Sequence, residues 1–154
     1  IITNRLVQVE SAAKMSATIE LVNQENIQEG HEESVQAAYI KAFGLFSANN
    51  YGAAAEAFNL FISTYPESEY AANARYWLGE CYFSLGRFSE AIDSFSKVLE
   101  MQPAPKRAAD TMLMIGKSWY RLDNPSKGSA TLLLLIEKYP GSEAAELALK
   151  QQIK

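Results

Sequence analysis

The sequence predicts an all-α solenoid of three helical hairpins closed by a C-terminal capping helix, and three observations support it. A 37-residue unit recurs: Tyr65-Pro66 returns as Gln102-Pro103 and again as Tyr139-Pro140. In the same register, Leu45-Phe46-Ser47-Ala48-Asn49 maps onto Tyr82-Phe83-Ser84-Leu85-Gly86 and onto Trp119-Tyr120-Arg121-Leu122-Asp123. A fixed period of this size marks repeats that bury their apolar faces only against their neighbours. Apolar residues within each unit fall at i, i+3 and i+4, one face of a helix. No apolar/polar alternation is long enough for a half-buried strand, so no β-sheet is expected.

The bulk composition excludes several function classes. Of 154 residues, 48% are hydrophobic and 21% charged, enough for one domain with a sizeable core. A formal net charge of −4, with no basic run longer than Lys106-Arg107, argues against nucleic acid and anionic membrane surfaces. The longest apolar run, Leu132 to Ile136, is far short of the roughly 20 residues a membrane helix needs, so no membrane insertion is expected. Cys81 is the only cysteine and excludes an intrachain disulfide. It sits in the apolar run Trp77 to Phe83 without basic neighbours, as a small buried filler does and a reactive thiol does not. The chain begins at Ile1, as expected of a processed or truncated product.

Residues 1–33 read as an N-terminal helical and linker segment, and 34–154 as the repeat domain. Ile2, Leu6, Val9 and Ala13 run at helical spacing, then Met15, Ile19 and Val22 in a shifted register. Such a thin stripe suits a helix packed on the neighbouring domain, or a coiled-coil seam through which residues 1–30 self-associate. Polar residues from Asn23 to Glu33 form the link.

The units then fall at about 34–70, 71–107 and 108–141, with the cap at 142–154. In the first, Val35, Ala38, Tyr39, Ala42, Phe43 and Phe46 share a helix face. Asn49-Asn50 breaks that helix, because Asn tolerates the left-handed backbone of a helix end. Ala54, Ala57, Phe58, Phe61 and Ile62 make the second helix. Pro66 ends it, and Ser68 can cap the next. The second unit uses Ala74, Trp77, Leu78, Cys81 and Tyr82, turns at Gly86, and continues through Phe88, Ala91, Ile92, Phe95, Val98 and Leu99 to a stop near Pro103. The third uses Met112, Leu113, Ile115, Trp119 and Tyr120, turns at Asp123-Asn124-Pro125, and continues through Ala130, Leu133, Leu134 and Ile136. Gly128, a poor helix residue where the second unit has Ala91, is expected to weaken this helix by roughly 1 kcal/mol. Ser142 can cap a last helix with Leu147 and Leu149 on one face and Glu143, Glu146, Lys150 and Gln151 on the other.

Small residues recur at fixed places. Ala42, Gly79 and Gly116 are equivalent, as are Ala54, Ala91 and Gly128. They allow the two helices of a hairpin to approach closely, with Phe58, Phe95 and Leu132 filling the space beside them.

These residues resemble the tetratricopeptide repeat. Leu78-Gly79-x-x-Tyr82, Ala91-x-x-x-Phe95 and Pro103 fall on its L-G-x-x-Y, A-x-x-x-F and P positions. The unit departs from the pattern in length, 37 rather than about 34 residues, and in holding Arg75 at the pattern's Trp position. The stretch from Phe61 through Tyr82 and the phrase Glu137 through Ser142 further resemble the C-terminal domain of the Tol-Pal system protein family YbgF/CpoB. That resemblance covers about residues 35–150 and implies a tetratricopeptide superhelix in a periplasmic adaptor. Such an adaptor binds the Tol machinery and coordinates cell-wall synthesis with outer-membrane constriction at division. In that family a short trimerising coiled coil precedes the repeats. The nearest alternative is a repeat subunit of an outer-membrane protein assembly or secretion complex.

Carrying the family's inward-facing positions onto this chain gives a partner-binding groove in three sets. They are Gln36, Tyr39, Phe43 and Phe46; Asn73, Tyr76, Glu80 and Phe83; and Asp110, Leu113, Lys117, Tyr120 and Arg121. Tyr and Arg are favoured interface anchors, and Tyr39, Tyr76 and Tyr120 are expected to face the groove. Repeat domains that clamp acidic tails place Lys and Asn here. Tyr39, Phe43 and Asp110 hold those positions instead, so the expected ligand is an extended apolar peptide or a partner helix. No cofactor, metal or catalytic activity is expected. His31 is the only histidine, no phosphate loop or dinucleotide glycine pattern occurs, and Glu90-Asp93 and Glu143-Glu146 read as solvated helix faces.

Overall fold

The computed structural model describes residues 34–101 and 105–152. The expectations for residues 1–33, and the stop near Pro103, lie outside the described residues. Among the described residues there are seven helices and no strand. They are α1 (Val35–Ser47), α2 (Tyr51–Thr64), α3 (Ala71–Ser84), α4 (Phe88–Leu99), α5 (Ala108–Arg121), α6 (Pro125–Lys138) and α7 (Glu143–Gln152). None is long and apolar enough to cross a membrane. The chain divides into two compact units, 1–71 and 72–154.

In the first unit α1 and α2 form an antiparallel hairpin. Ser34 caps α1, its hydroxyl accepting the Ala37 N–H at 3.1 Å. Tyr39, Ile40, Ala42 and Phe43 from α1 meet Ala54, Ala55, Phe58 and Phe61 from α2 in the core. The sequence stripe had omitted Ile40 and Ala55.

In the second unit α4 packs on α5, α5 on α6, and α7 against both α5 and α6. The contact of α3 with α4 is seen at Gly79, where a Cβ would stand 2.5 Å from Phe95 Cε1. Gly116 repeats it in the next hairpin: its Cβ would stand 2.5 Å from Leu132 Cδ2. Phe95 and Leu132 are both fully buried, so the close approach expected of these glycines is present in both hairpins.

The hairpin turns also keep the 37-residue register. Asn49, Gly86 and Asp123 all hold positive φ, at 60°, 75° and 60°. The next N–H reaches back to the carbonyl five residues earlier each time: Asn50 to Leu45 at 2.9 Å, Arg87 to Tyr82 at 2.8 Å, Asn124 to Trp119 at 2.9 Å. This is one helix-ending motif made three times, satisfying carbonyls the helix leaves without partners. Asn124 then caps α6 by accepting the Lys127 N–H at 3.1 Å, with Pro125 behind it. Ser68 accepts from Tyr70 N–H at 2.9 Å, and Ser142 from Ala145 N–H at 3.0 Å, as expected before α3 and α7.

Three details differ from the sequence reading. In α6 the buried stripe is Gly128, Leu132 and Leu135, while Leu133 and Leu134 are 57% and 52% exposed. A run of five apolar residues offers several faces at helical spacing, and Gly116 against Leu132 selects one of them. In α7 the buried residues are Ala144, Ala145 and Ala148, and Leu147 and Leu149 face outward. Alanine lets α7 lie close on α5 and α6, which a leucine stripe would hold apart. Gly128 is not simply a weak helix residue, because a Cβ there would stand 2.7 Å from Tyr120 Cδ2.

Candidate functional site

Helices α3 and α5 occupy equivalent places in successive hairpins. Asn73, Tyr76, Glu80 and Phe83 on α3 correspond, 37 residues on, to Asp110, Leu113, Lys117 and Tyr120 on α5. Steps of three and four residues keep each set on one helix face. The Tyr76 hydroxyl donates to Glu80 Oε1 at 2.9 Å. Arg107, in the turn that enters α5, lies with its guanidinium carbon 5.1 Å from the Tyr76 ring centre and 4.7 Å from that of Trp77. Further along the same face Arg121 stands 5.8 Å from the Phe83 ring and 5.7 Å from Phe88. Guanidinium over an aromatic face is an attractive pairing that also holds the cation in place.

The electrostatics centre on Glu80. Burial pushes its carboxyl above the ordinary carboxylate value. The Tyr76 hydrogen bond, then Lys117 and Arg107, pull it back down, and Asp110 pushes it up. Burial, then the neighbouring Glu80, raises the Tyr76 hydroxyl well above the usual tyrosine range, so it remains a donor. The face thus holds two carboxylates and three cations (Arg107, Lys117, Arg121) around aromatic rings, a surface of mixed charge. Cys81 lies beneath it, fully buried, with its thiol pushed up to about 12 by burial.

The groove residues expected from sequence divide between the two units. In the first, Tyr39 is 4% exposed and stacks on Tyr70 at 5.0 Å, with the edges of Phe61 and Phe58 at 5.8 and 6.2 Å. Phe43 is buried as well, while Gln36 and Phe46 are half-buried, Phe46 lying 5.6 Å from Tyr51. In the second, Tyr76 (7% exposed) and Leu113 are buried. Asn73, Glu80, Phe83, Lys117 and Tyr120 are partly accessible, and Asp110 and Arg121 are exposed.

The expectation that Tyr39 and Tyr76 present open rings is therefore corrected. Tyr39 fills the space between α1, α2 and Tyr70, and Tyr76 lies against Phe95 (5.6 Å) and Trp77 under Arg107. What Tyr76 offers the surface is the orientation of Glu80. Arg107 was absent from the sequence-derived set: it precedes α5, where helical spacing says nothing about direction. In the 37-residue register it stands where the preceding unit has Tyr70, three residues before Asp110 as Tyr70 is before Asn73.

These paired helices in a 37-residue register, with small residues at the close contacts, define an α-helical repeat protein of the interaction class. Two stretches, residues 72–105 and 110–142, match the tetratricopeptide repeat. The chain thus carries tetratricopeptide repeats over these residues, and its all-α hairpins fit that solenoid fold. Among curated proteins it is similar to the cell division coordinator CpoB of Pseudomonas putida strain KT2440 and to the same protein recorded from Pseudomonas putida without that strain designation. Each is 50% identical over 42 residues, which is 27% of this chain and 16% of the relative. The match thus spans about a sixth of the length of these relatives.

Proposed function

We propose that this chain is a non-catalytic adaptor of the bacterial periplasm, like CpoB, that links the Tol-Pal system with cell-wall synthesis during division. The face shared by α3 and α5 is the proposed seat of its protein partner. The observation that supports this reading most is the row formed by Glu80, Lys117, Phe83 and Arg121, accessible residues backed by buried Tyr76 and Leu113. Fixed charges beside aromatic rings are what an interface uses as anchors. The mixed sign of the row suits a partner helix or extended segment with apolar residues flanked by both charges. Asn73, Asp110 and Tyr120 of the second unit extend the proposed surface.

The test is titration calorimetry of the whole chain against the purified periplasmic domain of each Tol-Pal component, with Lys117→Glu/Arg121→Glu alongside. One component should bind the parent chain and lose at least tenfold in affinity against the variant, which keeps the helical circular dichroism of the parent. Absence of binding to every component would remove the Tol-Pal assignment. Equal binding by both chains would remove this face.

A further inference from the structure

A carboxylate without an ion pair stands in the middle of the α3–α5 face. Glu80 is only partly accessible, and the hydrogen bond it accepts comes from the neutral Tyr76 hydroxyl at 2.9 Å. Among the described residues the ion pair is Arg87–Glu90, out on the surface, and Glu80 forms none. The charged and titratable groups that act on it come from three places. Tyr76 is on its own helix, Lys117 and Asp110 are on α5, and Arg107 is in the turn before α5. Helix α4, which packs on α3 through Phe95 against Gly79, adds none among the described residues.

This carboxylate is costly to cover. An ionised oxygen that loses water needs a cation or a donor in exchange. Lys117 and Arg107 already flank the site and oppose the entry of a partner's cation. A partner that closes over α3 and α5 therefore takes water from Glu80 and brings no charge in return. The neutral carboxyl escapes that cost and keeps the Tyr76 bond, because its carbonyl oxygen still accepts. Burial already favours the neutral form in the free chain, and a covering partner adds to the same cause.

We propose that Glu80 is a proton-linked switch in this face: a partner seated on α3 and α5 binds more tightly when the carboxyl is neutral, so acidification strengthens the contact. The proposal rests on the reading of this face as the partner's seat and adds its regulation. Proton and partner then favour each other's binding by the same factor, as linkage requires.

The test is titration calorimetry of the whole chain at pH 5 and pH 7 against the purified periplasmic domain of each Tol-Pal component. The component that binds should do so about threefold or more tightly at pH 5. Glu80→Gln, which mimics the neutral carboxyl, should bind at pH 7 as tightly as the parent does at pH 5. It should also lose most of the pH dependence, and what remains belongs to the partner's own groups. Far-UV circular dichroism at both pH values checks that both chains are folded. Equal affinity of parent and Glu80→Gln at pH 7, or the same pH slope in both, would overturn the switch while leaving the partner's seat in place. Weaker binding by Glu80→Gln at both pH values would make Glu80 a charged anchor and overturn the switch as well. Absence of binding by every component at both pH values would remove the Tol-Pal assignment and the switch with it.

Discussion

Replacing Gly79 by alanine sets two opposing energies against each other at the closest approach of α3 and α4. Alanine is the better helix residue by about 1 kcal/mol in a helix interior. Its methyl, however, would stand 2.5, 2.6 and 2.7 Å from three atoms of the Phe95 ring. That ring is fully buried, so either it rotates off its preferred geometry or α3 moves outward. Overpacking of this kind costs about 1–3 kcal/mol. The expected balance is a loss of about 1 kcal/mol, or a melting temperature about 2–4 °C lower for a chain of this size. Gly44→Ala is the control, since a Cβ there meets nothing within 4 Å; it should stabilise by about 0.5–1 kcal/mol. Urea melts of both variants, with Phe95→Leu and the Gly79→Ala/Phe95→Leu double variant, complete the cycle. Leucine is the residue the next unit carries opposite Gly116. The double variant should be about 1 kcal/mol more stable than the sum of the singles predicts. If Gly79→Ala gained stability as Gly44→Ala does, the close packing described for the hairpin would be refuted.

Other variants probe the face and the turns. Tyr76→Phe removes the donor to Glu80 and should cost about 1–2 kcal/mol in a urea melt; an unchanged midpoint would show that the 2.9 Å bond contributes nothing. Because the folded pKa of Glu80 is raised above its ordinary value of 4.5, native protein takes up that proton more readily than unfolded chain. Stability from this group is full below that value and is lost as pH rises through the raised pKa. The melting temperature of the parent relative to Glu80→Gln should therefore fall between pH 4 and pH 7, and a constant difference would contradict the shift. Asp123→Gly should raise stability by roughly 0.5–1 kcal/mol, since Asp123 holds φ of 60° where the second unit has Gly86; a loss in thermal melts would show that the aspartate side chain matters more than its backbone.

The repeat register made most of the hairpin architecture legible. Gly79 and Gly116 could be paired with Phe95 and Leu132 from the 37-residue offset alone, and the turns at Asn49, Gly86 and Asp123 followed from residue type. Periodicity failed where every face was apolar or where small residues did the packing. The Leu132 to Ile136 run fits several faces, and only its alignment with Phe95 and Phe58 selects Leu132. In α7 the leucines drew attention from Ala144, Ala145 and Ala148, although close packing on two helices favours the smaller side chains. At the candidate site, the family's inward-facing positions pointed to Glu80, Lys117 and Arg121 but did not tell that Tyr76 turns inward to Phe95 while its hydroxyl holds Glu80. The direction of Arg107 is set by the turn before α5 rather than by a helix face, so helical spacing does not place it.

The proposal that α3 and α5 together form the partner-binding face is tested most directly by hydrogen exchange on the whole chain with and without the Tol-Pal component proposed as its partner. Exchange should slow at the ends of α3 and α5 and in the turn carrying Arg107, with α6 and α7 unchanged. Slowing confined to α6 and α7, around exposed Leu133, Leu134, Leu147 and Leu149, would place the partner on the opposite side of the repeat and contradict the account.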